Sequence, residues 1–454
     1  MDYDVIILGG GSAGYSAADT AERQGARVAI VDPGPLGGLC ILRGCMPTKT
    51  LLRSSDVISL MKRAREFGLL PVDARADLSA IIDRKNKLID EFASYRIEQL
   101  HNPRFSLIQE RGEFISPNEI QAGSKTLSAD SIIIATGSVV NHDFSVPGLD
   151  NANCLTSDDV LTLREQPESM IVLGGGPVAL ELAQFYQRIG TQVTLIQRSA
   201  HILSTGDEDL ARPVEERLRE EGMQVFTDTK LLNVKETAGQ KQIAFEHEGK
   251  EQTVEAATIL QALGRRPNID GLNLEVAGVQ TEGGRVRVDA EMRTSQKNIF
   301  SIGDVNGKHE IVHIAIEQGE IAGHNALNAD NPRRYDDRLK TSVVFTDPQV
   351  ASVGLSEKEC KAQGIDYRAA SYPFNDHGKS MCLGETHGHV KLLSDPESGK
   401  LLGGHIVGPE AGELIHQLVA IMYFNGTMQD MLNMPYYHPT LSEILTYPAD
   451  ELIL

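Results

Sequence analysis

Two cysteines stand five positions apart in the segment Gly37-Gly38-Leu39-Cys40-Ile41-Leu42-Arg43-Gly44-Cys45-Met46-Pro47-Thr48-Lys49. A dithiol takes up or releases two electrons by opening or closing an S–S bond, so the pair is a candidate redox relay. Along a regular helix five residues advance about 7.5 Å. A disulfide wants its Cα atoms within about 6.8 Å, so a regular helix could not bridge them. Gly44 and Pro47 predict a helix that starts late or is distorted at its first turn, which would bring the sulfurs together. A helix N-terminus favours the thiolate, and Arg43 adds positive charge. The alternative is a pair of buried structural thiols. Cys154, Cys360 and Cys382 show no pairing logic and are read as structural.

A second chemistry lies in two glycine clusters. Gly9-Gly10-Gly11-Ser12-Ala13-Gly14 follows the apolar run Val5–Leu8, and Gly174-Gly175-Gly176-Pro177-Val178-Ala179 follows Met170–Leu173. In a strand–turn–helix unit the first glycine makes the tight turn and the second admits a pyrophosphate to the backbone. The third lets helix pack on strand. The helix N-terminus then presents free N–H groups to the diphosphate. Each copy returns to a second strand, ending at Asp32 in the first and at Gln197 in the second, with the same spacing from the first glycine (32 − 9 = 23 and 197 − 174 = 23). Asp32 suits a ribose diol; Gln197 followed by Arg198 suits the 2′-phosphate of NADP over NAD. Two copies in one chain imply two bound nucleotides.

The elements that must hold these residues are legible as runs and periods. Val5–Leu8, Ala26–Val31, Ser131–Ala135 and Thr258–Ala262 read as buried parallel strands. The last two stop at Thr136-Gly137 and at Leu263-Gly264. Leu78, Ile81, Ile82, Leu88, Ile89 and Phe92 keep helical spacing, which predicts one long helix over 76–100. Asn298–Ile302 is a further strand, ending in Gly303-Asp304, before a helix near 311–327. From about Tyr335 short strands (342–345, 389–394, 401–407) mix with helices (410–424, 441–452), a separate α+β domain.

Composition narrows the class. The 454 residues are 41% hydrophobic and 23% charged, with a net charge of −20. That acidity speaks against nucleic-acid binding and against docking on anionic lipid. No apolar run approaches a membrane span. Five cysteines in so long a chain make no disulfide framework, which points to the cytoplasm.

Together, the two fingerprints, the Cys-x₄-Cys segment with Pro47 and Lys49, Ala135-Thr136-Gly137, Gly303-Asp304 and the ending His438-Pro439-Thr440-Leu441-Ser442-Glu443 resemble the class I pyridine nucleotide–disulfide oxidoreductases. That family includes dihydrolipoamide dehydrogenase, glutathione reductase and mercuric reductase. The resemblance covers essentially the whole chain. It implies an α/β fold with two Rossmann-like dinucleotide-binding domains and a C-terminal α+β dimerisation domain. Residues 1–145 and 271–335 would bind FAD, 146–270 NAD(P), and 336–454 would form the homodimer interface. Gly9, Gly11, Gly14, Asp32, Lys49, Thr136, Gly137, Gly303 and Asp304 fall to FAD. Gly174, Gly176, Gln197, Arg198 and Gly264 fall to NAD(P). By the same resemblance Cys40 is the interchange thiol that meets substrate and Cys45 the thiol beside the flavin. Lys49 and Glu181 form an ion pair near flavin and nicotinamide, and His438, oriented by Glu443, is the acid/base. No metal is implied.

The departures bear on substrate. Ile41-Leu42-Arg43-Gly44 replaces a stretch that usually includes Asn-Val, Pro177 stands where an aromatic gate is frequent, and Tyr436-Tyr437 precede His438. Asp19 stands where glutathione reductases place an arginine, which disfavours glutathione. No cysteine follows Cys382, which disfavours mercuric reductase. The leading expectation is dihydrolipoamide dehydrogenase-like oxidation of a small or carrier-bound dithiol. The alternatives are an NADPH-dependent reductase of another small disulfide or carrier protein, and a non-catalytic flavoprotein binding partner.

Overall fold

The computed structural model describes residues 1–142, 145–237 and 239–453. The chain opens with β1 (Tyr3–Leu8), α1 (Ser12–Glu22), β2 (Val28–Val31), α2 (Gly38–Leu42), α3 (Cys45–Lys62) and, after a short 3₁₀ turn, α4 (Leu78–Leu100). Backbone proximity divides the chain into two units. Met1–Thr48, Asp83–Asn141 and Gly264–Asp336 form the first; Lys49–Ile82, His142–Leu263 and Asp337–Leu454 form the second.

In the first unit β1 lies parallel between β2 and the strand Lys125–Ile134, with Val5 opposite both Val28 and Ser131. Phe105–Ile108 extends the sheet beyond β2, and Ile299–Ser301 pairs parallel to Lys125–Ile134. Successive side chains of a strand point to opposite faces. Val5 and Ile7 accordingly join Ala17, Ala18 and Ala21 of α1 in one core, while Ile6 and Leu8 join Phe114, Ile120 and Ile299 in another. A strand covered on both faces must be apolar throughout, which is why β1 reads as a run and not as an alternation.

In the second unit the parallel order is Gln224–Phe226, Gln192–Ile196, Ser169–Leu173, Thr258–Gln261. An antiparallel meander, Thr229–Thr237, Gln240–His247 and Lys250–Ala256, follows the strand Gln224–Phe226. A five-stranded antiparallel sheet spans Thr341–Val344 to Leu401–Gly408, and its core includes Ile415 and Leu418 of the helix Ala411–Tyr423. The expected C-terminal helix is two pieces, a 3₁₀ turn Leu441–Leu445 and an α-helix Thr446–Glu451. Pro448 accounts for the restart: it lacks an N–H to donate backward and is tolerated in a first helical turn.

Candidate active site

The helix expected around the cysteines is broken between them. α2 ends at Leu42, Arg43 leaves helical geometry, and α3 begins at Cys45. A Cβ at Gly44 would lie 3.1 Å from the Leu39 carbonyl oxygen and 3.2 Å from Cys40 Cα. The chain therefore turns back tightly onto Cys40 before the second helix starts. Cys45 is the first residue of an 18-residue helix, where unsatisfied N–H groups and the positive dipole end favour a thiolate. Thr48 Oγ donates to the carbonyls of Gly44 and Cys45 at 2.9 and 3.1 Å and fixes that first turn. Both cysteines are half-buried. Cys360 is buried, and burial pushes the Cys154 thiol up to about 11, as inert structural thiols should be. Cys382 departs from the expectation: it is exposed at the end of the short helix Gly378–Leu383.

The two glycine turns have the same geometry. Gly9 has φ +108°, and a Cβ there would lie 2.3 Å from the Ala135 oxygen; Gly174 has φ +114° and the same relation, 2.5 Å, to Ala262. A Cβ on Gly14 would strike the Gly9 oxygen at 1.9 Å. The middle glycines differ in kind. Around Gly11 the nearest atom to a Cβ is Gly38 Cα at 3.7 Å, and around Gly176 nothing lies within 4 Å. The protein leaves room there for a side chain that the sequence omits, at the N-termini of α1 and of the helix Pro177–Ile189. Such open ground fits a diphosphate approaching the backbone.

Asp32, at the end of β2, accepts from the N–H groups of Gly10 (2.6 Å) and Gly34 (2.7 Å), so its carboxylate is fixed against the first turn. Gln197 packs on Gly175, 3.0 Å from where a Cβ would stand. Arg198 is exposed and makes no hydrogen bond or ion pair among the described residues. Around the remaining residues read as FAD contacts, Thr136 Oγ1 donates to the Asn268 carbonyl at 2.7 Å. Ser138 Oγ donates to Asp304 Oδ2 at 2.7 Å, and Gly303 N–H donates to Gln318 Oε1 at 2.8 Å. Gly137 and Gly264 both have positive φ.

Two further side-chain pairs lie within the second unit. Lys49 Nζ donates to both oxygens of the buried Glu181 at 2.8 and 2.9 Å. Glu181 also accepts the Phe345 N–H at 3.0 Å, and the Lys49 ammonium stands 4.6 Å from the Phe345 ring centre. His438 Nδ1 lies 3.0 Å from Glu443 Oε1, whose other oxygen accepts the Thr440 N–H at 2.7 Å. These partners hold the Glu443 carboxyl below its ordinary range, the Thr440 N–H first. A carboxylate on Nδ1 fixes the tautomer that leaves Nε2 to take a proton. The His438 side chain is 83% exposed, so that nitrogen is open to an incoming group. Cys40 and Cys45 belong to the first unit; His438, Glu443, Lys49 and Glu181 belong to the second. Phe345, Ser138 and Gln318 escaped the sequence reading, since their partners are remote in the chain and no short motif marks them.

Two glycine-turn nucleotide folds and a dithiol at a helix start define a nucleotide-dependent flavoprotein disulfide oxidoreductase. Residues 3–319 match the family model described as pyridine nucleotide-disulphide oxidoreductase, and residues 341–449 match the dimerisation domain of that family. The chain belongs to this family; it is an oxidoreductase that uses FAD and a pyridine nucleotide. It is 34% identical over 450 residues to a mercuric reductase of Staphylococcus aureus, covering 99% of this chain and 82% of the relative. It is 32% identical over 461 residues to a dihydrolipoyl dehydrogenase of Bacillus subtilis, covering 98% and 96%. Among solved structures, LpdA from Mycobacterium tuberculosis is similar with a TM-score of 0.89 and 28% identity, over 99% of this chain and 100% of that one. The HOCl-induced flavoprotein disulfide reductase RclA from Escherichia coli, as its Cu(II) complex, gives 0.87 and 25%, over 99% of each chain. No helix among the described residues is long and apolar enough to cross a membrane.

Proposed function

We propose that the chain forms a cytoplasmic homodimer that moves electron pairs between NAD(P) and a small or carrier-bound dithiol/disulfide, in the manner of a dihydrolipoyl dehydrogenase. The observation that carries this reading is the helix break that sets Cys40 against a turn and Cys45 at a helix N-terminus. FAD supplies the two-electron link between the pyridine nucleotide and the cysteine pair. In the reducing direction the Cys40 thiolate attacks one sulfur of the substrate disulfide, forming a mixed disulfide. The departing thiolate takes a proton from His438. The Cys45 thiolate then attacks Cys40 sulfur, releasing the second substrate thiolate, which is protonated in turn, and closing the Cys40–Cys45 disulfide. Oxidation of a dithiol runs the same steps backward, with His438 taking the protons. Glu443 steadies the imidazolium, and Lys49 with Glu181 supplies a fixed charge pair one helical turn beyond Cys45.

The fixed Asp32 carboxylate supports FAD in the first fold, and the unpaired Arg198 supports NADP over NAD in the second. Arg198 also supports the second reading, an NADPH-dependent reductase of another small disulfide. Steady-state assays with dihydrolipoamide and NAD⁺, dihydrolipoamide and NADP⁺, and glutathione disulfide and NADPH separate these. The expected result is turnover of dihydrolipoamide and little of glutathione disulfide. Efficient reduction of glutathione disulfide would contradict the leading reading, and activity that survives loss of Cys40 or Cys45 would contradict both.

A further inference from the structure

Helix α3 and the helix Pro177–Ile189 are keyed to one another by two ion pairs of equal offset. Lys49 pairs with Glu181 and, seven residues further along both helices, Asp56 pairs with Arg188 at 2.8 Å. The offsets are 181 − 49 = 132 and 188 − 56 = 132. Seven residues advance about 10.5 Å along a helix, so two pairs with one offset mean parallel helices in a single lengthwise register. The Lys62 ammonium adds a tie, donating to the Arg188 carbonyl at 2.8 Å. Leu51 and Leu52 of α3 share an apolar core with Leu180 and Ala183. The nucleotide helix also grips the segment 345–347. Glu181 accepts the Phe345 N–H at 3.0 Å, and Gln184 accepts the Asp347 N–H and donates to its carbonyl, both at 2.8 Å. Arg188, whose side chain is 4% exposed, is the junction. It meets α3 through Asp56, the segment 345–347 through the Asp347 carboxylate, and the end of the helix Glu208–Glu220 through Glu221. Both keyed helices begin at chemistry: α3 at Cys45, the other at the second glycine turn.

We propose that Asp56 and Arg188 are positioning residues for hydride transfer: their pair sets the lengthwise register of the nucleotide helix on α3, and with it the reach from a nicotinamide at the second glycine turn to a flavin beside Cys45. The inference rests on the flavin and nucleotide placements proposed above. One ion pair is a pivot; a second, a heptad away, removes the pivoting. Buried charge pairs are best attested as devices that specify register. A displacement of about 1 Å between reacting groups can cost about a hundred-fold in rate. The device responds to a proton. Arg188, Asp347, Arg53 and Glu221 bear on Asp56, and Arg217, 3.7 Å from Asp347, and Arg63, paired with Glu385 at 2.9 Å, bear on Asp347. Burial, with the like charges of Asp347 and Glu221, raises the Asp56 carboxyl to about 6. Above that pH a carboxylate faces Arg188; below it a neutral acid does, while Glu221 and Asp347 retain the guanidinium.

The test reads the holoenzyme in two ways. Anaerobic stopped-flow mixing with NADPH separates the limiting rate of flavin reduction from the Kd, and 4-deuterated NADPH confirms that the step read is hydride transfer. Asp56→Asn should lower the limiting rate about ten-fold with Kd unchanged, and Asp56→Glu should restore part of it. The unsubstituted rate should fall as pH drops through about 6, and the Asp56→Asn rate should lack that limb. Spin labels carried by unnatural amino acids at the exposed Leu60 of α3 and Val178 of the nucleotide helix read the register without NADPH. Their distance distribution should broaden or shift in Asp56→Asn. An unchanged limiting rate, a loss confined to Kd, an acid limb that persists in Asp56→Asn, or an unchanged distance distribution would each overturn the proposal. Should Asp56→Asn lose its flavin, Asp56→Glu decides: an acid limb moved from that of the unsubstituted enzyme supports the proposal, and an unmoved limb refutes it. Failure of the underlying reading would show separately, as an unsubstituted holoenzyme whose flavin neither NADPH nor NADH reduces.

Discussion

Arg198 ends the second nucleotide fold with an exposed, unpaired guanidinium, where the first fold ends in the Asp32 carboxylate held by two backbone N–H groups. A charge-assisted bidentate contact to a ribose phosphate contributes about 1.5–3 kcal/mol, a factor of roughly ten to a hundred in affinity. Arg198→Ala should therefore cut kcat/KM for NADPH by about that factor and leave NADH nearly unaffected. A wild-type preference for NADH, or equal losses for both cofactors, would contradict the assignment. At this scale the sequence was informative wherever chemistry depends on spacing along the chain: the cysteines, both glycine turns, Asp32 and Arg198. It was silent on Phe345, which backs the Lys49–Glu181 pair through contacts with residues far away in the chain.

Among the elements, α3 carries more than the cysteine. Asp56 on its middle turns reaches the buried Arg188 at 2.8 Å. The same guanidinium holds Glu221 at 2.6 Å and pairs with Asp347. One cation thus faces three carboxylates. Burial, with the like charges of Asp347 and Glu221, outweighs Arg188 and pushes the Asp56 carboxyl up to about 6, from 3.8. A carboxyl whose folded pKa is raised binds its proton more tightly in the folded state. Its contribution is most favourable below about pH 4 and declines as pH rises through about 6. Asp56→Asn, which mimics the neutral form, should have a Tm that improves relative to wild type across that window and then levels off. Because Asp56 is 43% exposed, solvent screening keeps the shift small. A difference in Tm that is flat or falls with pH would contradict this account. The parallel strands and α4 were legible because both-face burial and helical period leave plain apolar patterns. The meander Thr229–Ala256 was not: Lys235, Glu236, Thr237, Lys250 and Glu251 are exposed, and no apolar run marks it. The break between α2 and α3 was legible only as a consequence of chemistry, since Gly44 had to interrupt a helix for two thiols to meet.

For the whole molecule, Cys40 and His438 stand 398 residues apart along the sequence (438 − 40), and we propose that a homodimer brings the dithiol and the His438–Glu443 pair into a common site. A C₂ dimer can bring the C-terminal segment of each chain to the cysteines of the other, twice by symmetry. Co-expressing Cys40→Ser with His438→Ala under two tags gives a mixed dimer in which one site combines both defects and the other has neither. It should recover about half of wild-type activity although each parent is nearly inactive; a mixed dimer as inactive as its parents would place each site within one chain. Beneath that lies the claim on which everything else rests, that Cys40 and Cys45 exchange a disulfide for a dithiol. The most direct measurement is a thiol count on the denatured chain, prepared without reductant and then after anaerobic reduction of the holoenzyme by NADPH. The chain has five cysteines. The account predicts two fewer reactive thiols before reduction than after, with the difference abolished in Cys40→Ser and Cys45→Ser; the full complement of thiols in both states would contradict it.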